Sequence, residues 1–206
     1  MDLERNNLRP SGNILPFDGE AWYFNELVDI RNSKLLFDAL LQNILWKQDE
    51  VIIFGKRIVT KRKMAWYAMN DITYQYSNIT RNALPFTSEL FALKELAETV
   101  SGETYNACLL NLYHDGAEGM GWHSDDEKSI VPNSAIASIS LGCNRKFVFR
   151  HKKSAETISV ELENGSLLVM KGSTQLHWQH ALPKSKKITM PRINLTFRNM
   201  VMPPVI

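Results

Sequence analysis

The 206-residue chain holds only two cysteines, Cys108 and Cys143. Two thiols cannot build a disulfide framework, and they suit a reducing compartment as small buried hydrophobes. No apolar run approaches the ~18 residues a membrane span needs, so no membrane partner is expected. Residues 1–7 (MDLERNN) lack the apolar core of a secretory leader. These absences set the expectation of a cytoplasmic location, or a nuclear one in a eukaryote. No internal repeat, linker or low-complexity segment interrupts the chain, and its length fits one domain at ~100–200 residues per domain. With 44% hydrophobic and 22% charged residues, it is neither collagen-like, coiled-coil nor disordered. A monomer is expected.

Acidic residues are missing from three long segments. None occurs between Glu50 and Asp71, where Lys56, Arg57, Lys61, Arg62 and Lys63 stand. None occurs between Glu127 and Glu156, which encloses Lys128, Arg145, Lys146, Arg150, Lys152 and Lys153. After Glu163 the chain has no acid but carries Lys171, Lys184, Lys186, Lys187, Arg192 and Arg198. The formal net charge of +2 is therefore a cancellation. If the three segments share a face, the fold presents a basic surface suited to phosphates.

Residues 1–30 are polar and irregular and read as an N-terminal arm. Asn32-Ser33 then opens an amphipathic run, with Leu36, Phe37, Leu40, Leu41, Ile44 and Leu45 at helical spacing and Ser33 as its N-cap. A second helix fits residues 87–100, with Thr87 as cap and Gly102 just past the end. Elsewhere the pattern is strand-like, at Val51–Phe54, Ile72–Tyr76, Tyr105–Tyr113, Ser134–Leu141, Lys146–Arg150, Thr157–Leu162, Ser166–Met170 and Arg192–Asn199. Two helices and many short strands predict a mainly β fold of the α+β class, a sandwich or barrel buttressed by helices.

The sharpest local signal is Gly121-Trp-His-Ser-Asp-Asp-Glu127. In extended chain, alternate residues share a face, so His123 and Asp125 point the same way and can grip one metal ion. A third ligand must come from His114, His151, His177 or His180. Two histidines and a carboxylate arranged facially leave open positions on Fe(II) for a cosubstrate and oxygen. In Arg192–Arg198, the polar residues Arg192, Asn194, Thr196 and Arg198 fall on one face and Ile193, Leu195 and Phe197 on the other. Two arginines flanking Asn and Thr make a cradle for a small dicarboxylate, because guanidinium pairs bidentately with carboxylate. Asn111 and Tyr113 share a face in the same manner, opposite Leu110 and Leu112.

These features, with NLYHDG (111–116), GWHSDDE (121–127), FVFRHK (147–152), HWQHALP (177–183) and PRINLTFR (191–198) in that order, resemble the AlkB family of 2-oxoglutarate- and Fe(II)-dependent nucleic-acid dealkylases. Over residues 48–199 the likeness is to its branch that repairs double-stranded DNA. The resemblance implies a double-stranded β-helix, or jelly roll, buttressed by helices, with an N-terminal nucleotide-recognition lid. The dioxygenase domain would span 31–206, the lid about 48–85 and the jelly roll about 103–200. It implies that His123, Asp125 and His180 bind iron, His180 standing twelve residues before Arg192. His177 is then a core histidine or one supporting the ligands. Arg192 would pair with the distal carboxylate of 2-oxoglutarate and Arg198 would lie near its other end. Asn111, Tyr113, Asn194 and Thr196 would complete that site, while Asp126 and Glu127 would meet a cationic methylated base. Phe54-Gly55-Lys56 matches a hairpin whose tip can wedge into the base stack, and Tyr74 and Tyr76 stand where the family holds the flipped base. The family commonly has Pro-Arg and then Tyr-Gly where this chain has Lys61-Arg62 and Tyr67-Ala68.

The implied activity is oxidative demethylation of 1-methyladenine and 3-methylcytosine in DNA, using Fe(II), 2-oxoglutarate and O2 and releasing formaldehyde, succinate and CO2. The partner would be duplex or single-stranded DNA with the alkylated base flipped out. An RNA demethylase of the same family is one alternative, and a catalytically silent nucleic-acid-binding jelly roll another. The silent form would lack an iron ligand or a cradle arginine, and neither is missing.

Overall fold

The computed structural model describes residues 12–53, 56–69, 73–76 and 79–202, with only the backbone described at 50–53, 56–58, 73–76 and 79–81. The chain begins with strand β1 (Glu20–Phe24), helix α1 (Ile30–Asn43), then β2 (Lys47–Ile53) and the long β3 (Lys56–Ala68). Short strands β4 (Thr73–Tyr76), β5 (Ile79–Asn82) and β6 (Leu84–Pro85) lead into helix α2 (Ser88–Ser101). After α2 come β7 (Ala107–Tyr113), β8 (Met120–His123), β9 (Ile136–Gly142), β10 (Arg145–His151), β11 (Thr157–Leu162) and β12 (Ser166–Lys171). A single helical turn, α3 (Thr174–His177), precedes β13 (Trp178–Leu182) and β14 (Arg192–Arg198).

From β7 to β14 the strands cross back and forth between two sheets, except that β10 and β11 are successive strands of the smaller one. The larger has the order β1-β12-β9-β14-β7-β3-β2, the smaller β11-β10-β13-β8, and β4 pairs with β5. Within β7–β14 every pairing is antiparallel. Successive strands that cross between two facing sheets are the connectivity of a jelly roll. One face of the larger sheet packs on the helices: Leu36 and Leu40 of α1 and Leu90, Leu93 and Ala97 of α2 meet Leu110, Ile139, Ile193, Leu195 and Phe197. The other face meets the smaller sheet through Tyr113, Ile136, Leu168, Met170, Phe147, Phe149, Trp178 and Leu182.

Several boundaries differ from the sequence expectation. Within the stretch read as an arm, Glu20–Phe24 pairs with β12 along its whole length, from Glu20↔Lys171 to Phe24↔Leu167. Its alternation is short, which hid the strand, and its Ala21 and Phe24 are buried. Helix α1 is capped by Asp29 rather than Ser33: the Asp29 carboxylate accepts the N–H groups of Arg31 and Asn32, each at 2.9 Å. Ser33 lies inside the first turn, donating to the Ile30 carbonyl at 3.0 Å and accepting from Asn164 at 2.7 Å. Thr87 does cap α2, accepting from Leu90 N–H at 3.3 Å, and Gly102 ends it with φ 70°. The strand expected at Val51–Phe54 is β2, which ends at Ile53, and residues 60–68, outside the strands expected from the sequence, continue β3. The run Lys61–Lys63 disguised that strand. Phe54 and Gly55, between β2 and β3, lie outside the described residues, as do the side chains of Lys56, Tyr74 and Tyr76.

Candidate active site

Strand β14 supplies one wall of a cavity between the sheets. Its alternation holds as predicted, yet both faces are buried: Ile193, Leu195 and Phe197 toward the helices, Arg192, Asn194, Thr196 and Arg198 toward the smaller sheet. The cavity, about 150 Å³, is lined by those four side chains, by Asn111 and Tyr113 of β7, and by His123, Asp125, Asp126, Glu127 and His180. Its apolar lining comes from Leu109, Met120, Phe147, Met170 and Leu182.

Register brings the histidines together. His180 of β13 stands directly opposite His123, the last residue of β8, and their Nε2 atoms lie 3.1 Å apart. His123 Nδ1 lies 2.9 Å from the Gly121 carbonyl, so it carries the proton and leaves the Nε2 lone pair to the cavity. After β8 the chain leaves regular structure and turns Asp125 inward, where His180 Nε2 is 3.7 Å from its Oδ2. Gln175 holds that turn by accepting the Asp125 N–H at 2.9 Å. Adjacent positions on an octahedral ion with ligands about 2.1 Å away stand about 3 Å apart. Two inward nitrogens and a carboxylate oxygen near that spacing fit Fe(II), and His123, Asp125 and His180 group together as metal-type ligands.

The electrostatics suit ligands. Burial, with His123 facing it, holds the His180 imidazole down at about 3, so it is neutral and has a lone pair to give. Burial would raise the Asp125 carboxyl, but Arg198, His180 and His123 outweigh it and hold it below the ordinary carboxylate range. Arg198 donates to Asp125 Oδ1 at 2.5 Å and to Glu127 Oε1 at 3.4 Å. Arg198, expected near the end of the cosubstrate opposite its distal carboxylate, thus sits on a residue of the metal-type group. Glu127 faces Arg198, whereas Asp126 is exposed at the cavity mouth.

At the opposite end Arg192 is 2% exposed and donates to Ser140 Oγ at 2.8 Å. No carboxylate of the described residues pairs with it, and its Nε has no hydrogen-bond partner. Burial pushes the guanidinium down to about 10, Tyr113 opposing that shift and Arg145 adding to it. A buried cation without an anion is costly, and a dicarboxylate entering the cavity would neutralise it. Arg62, Arg145 and Arg192 all lie over the Tyr113 ring, at 5.8, 5.7 and 5.6 Å from its centroid. Arg62 pairs with Asp49, while Arg145 donates to the carbonyls of Asp115, Glu118 and Pro183. Asn194 donates to Ser138 Oγ at 2.8 Å and accepts from Thr196 at 3.1 Å, which orients both along the wall.

Sequence reasoning missed Ser138, Ser140, Gln175 and Arg145. The two serines alternate in an otherwise apolar strand, which was a usable signal; Gln175 and Arg145 carried none. Of the other histidines, His114 is an exposed partner of Glu118, and neither His151 nor His177 lines the cavity.

The family model for the 2OG-Fe(II) oxygenase superfamily matches residues 20–198. The chain is 39% identical over 160 residues to the mouse DNA oxidative demethylase ALKBH2, covering 74% of this chain and 67% of that protein. It is 40% identical to the human ALKBH2, covering 74% and 61%. To the human alpha-ketoglutarate-dependent dioxygenase alkB homolog 3 it is 36% identical over 187 residues, covering 86% and 65%. The chain therefore spans roughly two thirds of the length of these relatives. The solved structure of OsALKBH1 superposes with a TM-score of 0.59 at 15% identity, covering 87% of this chain and 97% of that one, a likeness of fold.

Proposed function

Since this chain belongs to the 2OG-Fe(II) oxygenase superfamily, and within it to the AlkB family, we propose that it is a DNA oxidative demethylase acting on N-methylated bases. One observation carries the reading. The His123–Asp125–His180 group and the buried Arg192, which no carboxylate of the described residues pairs, line opposite ends of one cavity. That spacing suits a small dicarboxylate held by its far end at Arg192 and reaching a metal with the other.

When bound, Fe(II) with 2-oxoglutarate and O2 supplies the oxidation that turns an N-methyl group into a hydroxymethyl group, lost as formaldehyde, with succinate and CO2 as coproducts. The chain's own residues provide position and exclusion. His123, Asp125 and His180 would hold the metal. Arg198 keeps Asp125 ionised and fixes its rotamer, while Arg192, Tyr113 and Asn111 would seat the cosubstrate. Phe147, Leu182 and Met170 give the cavity apolar walls that keep it poor in water. Asp126, exposed at the mouth, offers a carboxylate to a base that methylation has made cationic. A weakly paired base costs less to extrude, and Phe54, which the family resemblance likens to a wedge residue, would fill the gap it leaves. The reading extends to a single-chain enzyme in the cytoplasm or nucleus.

The test is formaldehyde release from oligonucleotides carrying 1-methyladenine or 3-methylcytosine, as duplex DNA, single-stranded DNA and RNA. Release from DNA that requires both added Fe(II) and 2-oxoglutarate is expected. Release from RNA alone would move the substrate assignment, and no release from any of the three would end it.

A further inference from the structure

A second group of metal-type ligands lies outside the cavity and takes no part in the function proposed above. Asp18, His151 and His177 bring a carboxylate oxygen and two ring nitrogens within 4.8 Å of one another. Three separate segments supply them: the loop before β1, the end of β10 and the end of α3. The loop is firmly seated. Trp178 Nε1 donates to the Phe17 carbonyl at 3.0 Å, and the Phe17 ring meets His151 edge-on at 5.0 Å and Trp178 at 5.6 Å. Asp18 itself has φ 51°, a conformation uncommon for any residue with a side chain.

His151 is 4% exposed, and its Nε2 makes no hydrogen bond. The Asp18 Oδ2 atom stands 3.4 Å from that nitrogen. A charged N–H···O bond would close to about 2.7–2.9 Å. Two ligands on a tetrahedral ion, each about 2.0–2.1 Å from it, stand about 3.3 Å apart, and the observed separation matches that. On the other side of the ring, Nδ1 is 2.9 Å from Ser154 Oγ. That oxygen can accept the Nδ1 proton and leave the Nε2 lone pair to an ion, the outer partner that metal-bound imidazoles ordinarily have. The His151 and His177 rings stack at 6.3 Å, unlike the edge-on pair His123 and His180, but each pair shares its group with a carboxylate.

We propose that Asp18, His151 and His177 form a second metal site, for a divalent ion of the zinc type. Zinc takes both borderline imidazole nitrogens and a harder carboxylate oxygen, and a water would take the fourth position. Bound there, the ion cross-links the segment before β1 to the end of β10 and to α3, three pieces distant in sequence. One feature favours the opposite outcome: the Ser154 N–H also points at His151 Nδ1, from 3.0 Å. If that bond dominates, the proton sits on Nε2 and the cluster is a histidine–aspartate hydrogen bond without metal.

The experiment separates the two. The full chain carrying His123→Ala and His180→Ala, which disables the cavity site, is stripped with a chelator and titrated with Zn(II), and separately with Co(II). One equivalent of zinc, a Co(II) absorption spectrum of four-coordinate type and a raised Tm are expected. Adding Asp18→Asn or His177→Gln, neither at a fully buried position, should weaken zinc binding at least about tenfold and remove the Tm rise, with the circular dichroism unchanged. A folded background variant that binds no zinc overturns the proposal, and so does binding that both added substitutions leave intact. If the background variant does not fold, zinc stoichiometry decides: two equivalents in the unaltered chain against one in Asp18→Asn support the site, and equal numbers refute it.

Discussion

His123 and Asp125 belong to one ligand group, yet their replacement has different consequences for the protein. His123 is half-buried at a strand end, its Nδ1 bonded to the Gly121 carbonyl. Asp125 is the buried partner of the buried Arg198. His123→Ala should abolish formaldehyde release and leave the Tm close to that of the unaltered chain. Asp125→Ala should abolish release and also destabilise by about 3 kcal/mol, roughly 6–12 °C in a chain this size. Equal melting temperatures for the two variants would show that the Asp125–Arg198 pair adds nothing to stability. Arg192 makes the reverse case, a buried cation with no carboxylate of its own among the described residues. Arg192→Met should leave the ligand-free protein no less stable. At a 100-fold excess over its Kd, 2-oxoglutarate should stabilise the unaltered chain by about 2.7 kcal/mol and the variant hardly at all. A thermal-shift assay reads both, and equal shifts would remove Arg192 from the cosubstrate site.

Among the elements, helix α1 shows how a cap is decided by geometry rather than by the nearest suitable residue. Ser33 and Asp29 are both capping types, but only Asp29 has the extended backbone (φ −60°, ψ 164°) of an N-cap. Its carboxyl is held below the ordinary value of 3.8, chiefly by the Asn32 N–H and side chain. The sign follows from linkage: with a folded-state pKa below the unfolded one, the stabilisation is present above 3.8 and fades as pH falls through the lower, folded value. Asp29→Ala should therefore lower the urea midpoint at neutral pH, and the gap should close in acid. A gap that persists in strong acid would mean that Asp29 acts by something other than its charge. Strands β7, β9, β10, β11, β12 and β14 were legible because each is apolar or strictly alternating. Strands β1, β8 and β13 were not, since they are short and their pattern is broken by aromatic and histidine side chains. Gly142 marks a junction of the same kind: at φ 93°, a Cβ there would stand 2.5 Å from the Pro191 carbonyl.

For the whole molecule, the charge map divides into two populations. Arg62, Arg145, Arg192 and Arg198, all from the acid-free segments, are buried around the cavity, whereas Lys146, Lys152, Lys153, Lys184, Lys186 and Lys187 are exposed. Arginine accompanies the interior because its planar fork pairs several acceptors at once, and lysine keeps its hydrated ammonium in water. Among the described residues, exposed lysines such as these are placed to meet phosphates. Replacing Lys186 and Lys187 by alanine should weaken oligonucleotide binding to a similar degree for every sequence and lower the slope of log K against log salt by about 2. Fluorescence anisotropy across a salt series measures this, and an unchanged slope would place those two lysines off the nucleic-acid path.

From the sequence alone came the mainly β class, the two main helices, the His-x-Asp pair and the alternation of β14, because each is a local pattern written in side-chain chemistry. The family resemblance singled out His180 as third ligand, and the β13–β8 register puts it opposite His123. What only the tertiary structure decided is how distant segments meet. It turned Arg198 onto Asp125, left Arg192 without a carboxylate among the described residues, gathered three arginines around Tyr113 and brought Asp18 to His151. Such juxtapositions depend on which strands become neighbours and in what register, and neither is encoded within any one stretch of the chain.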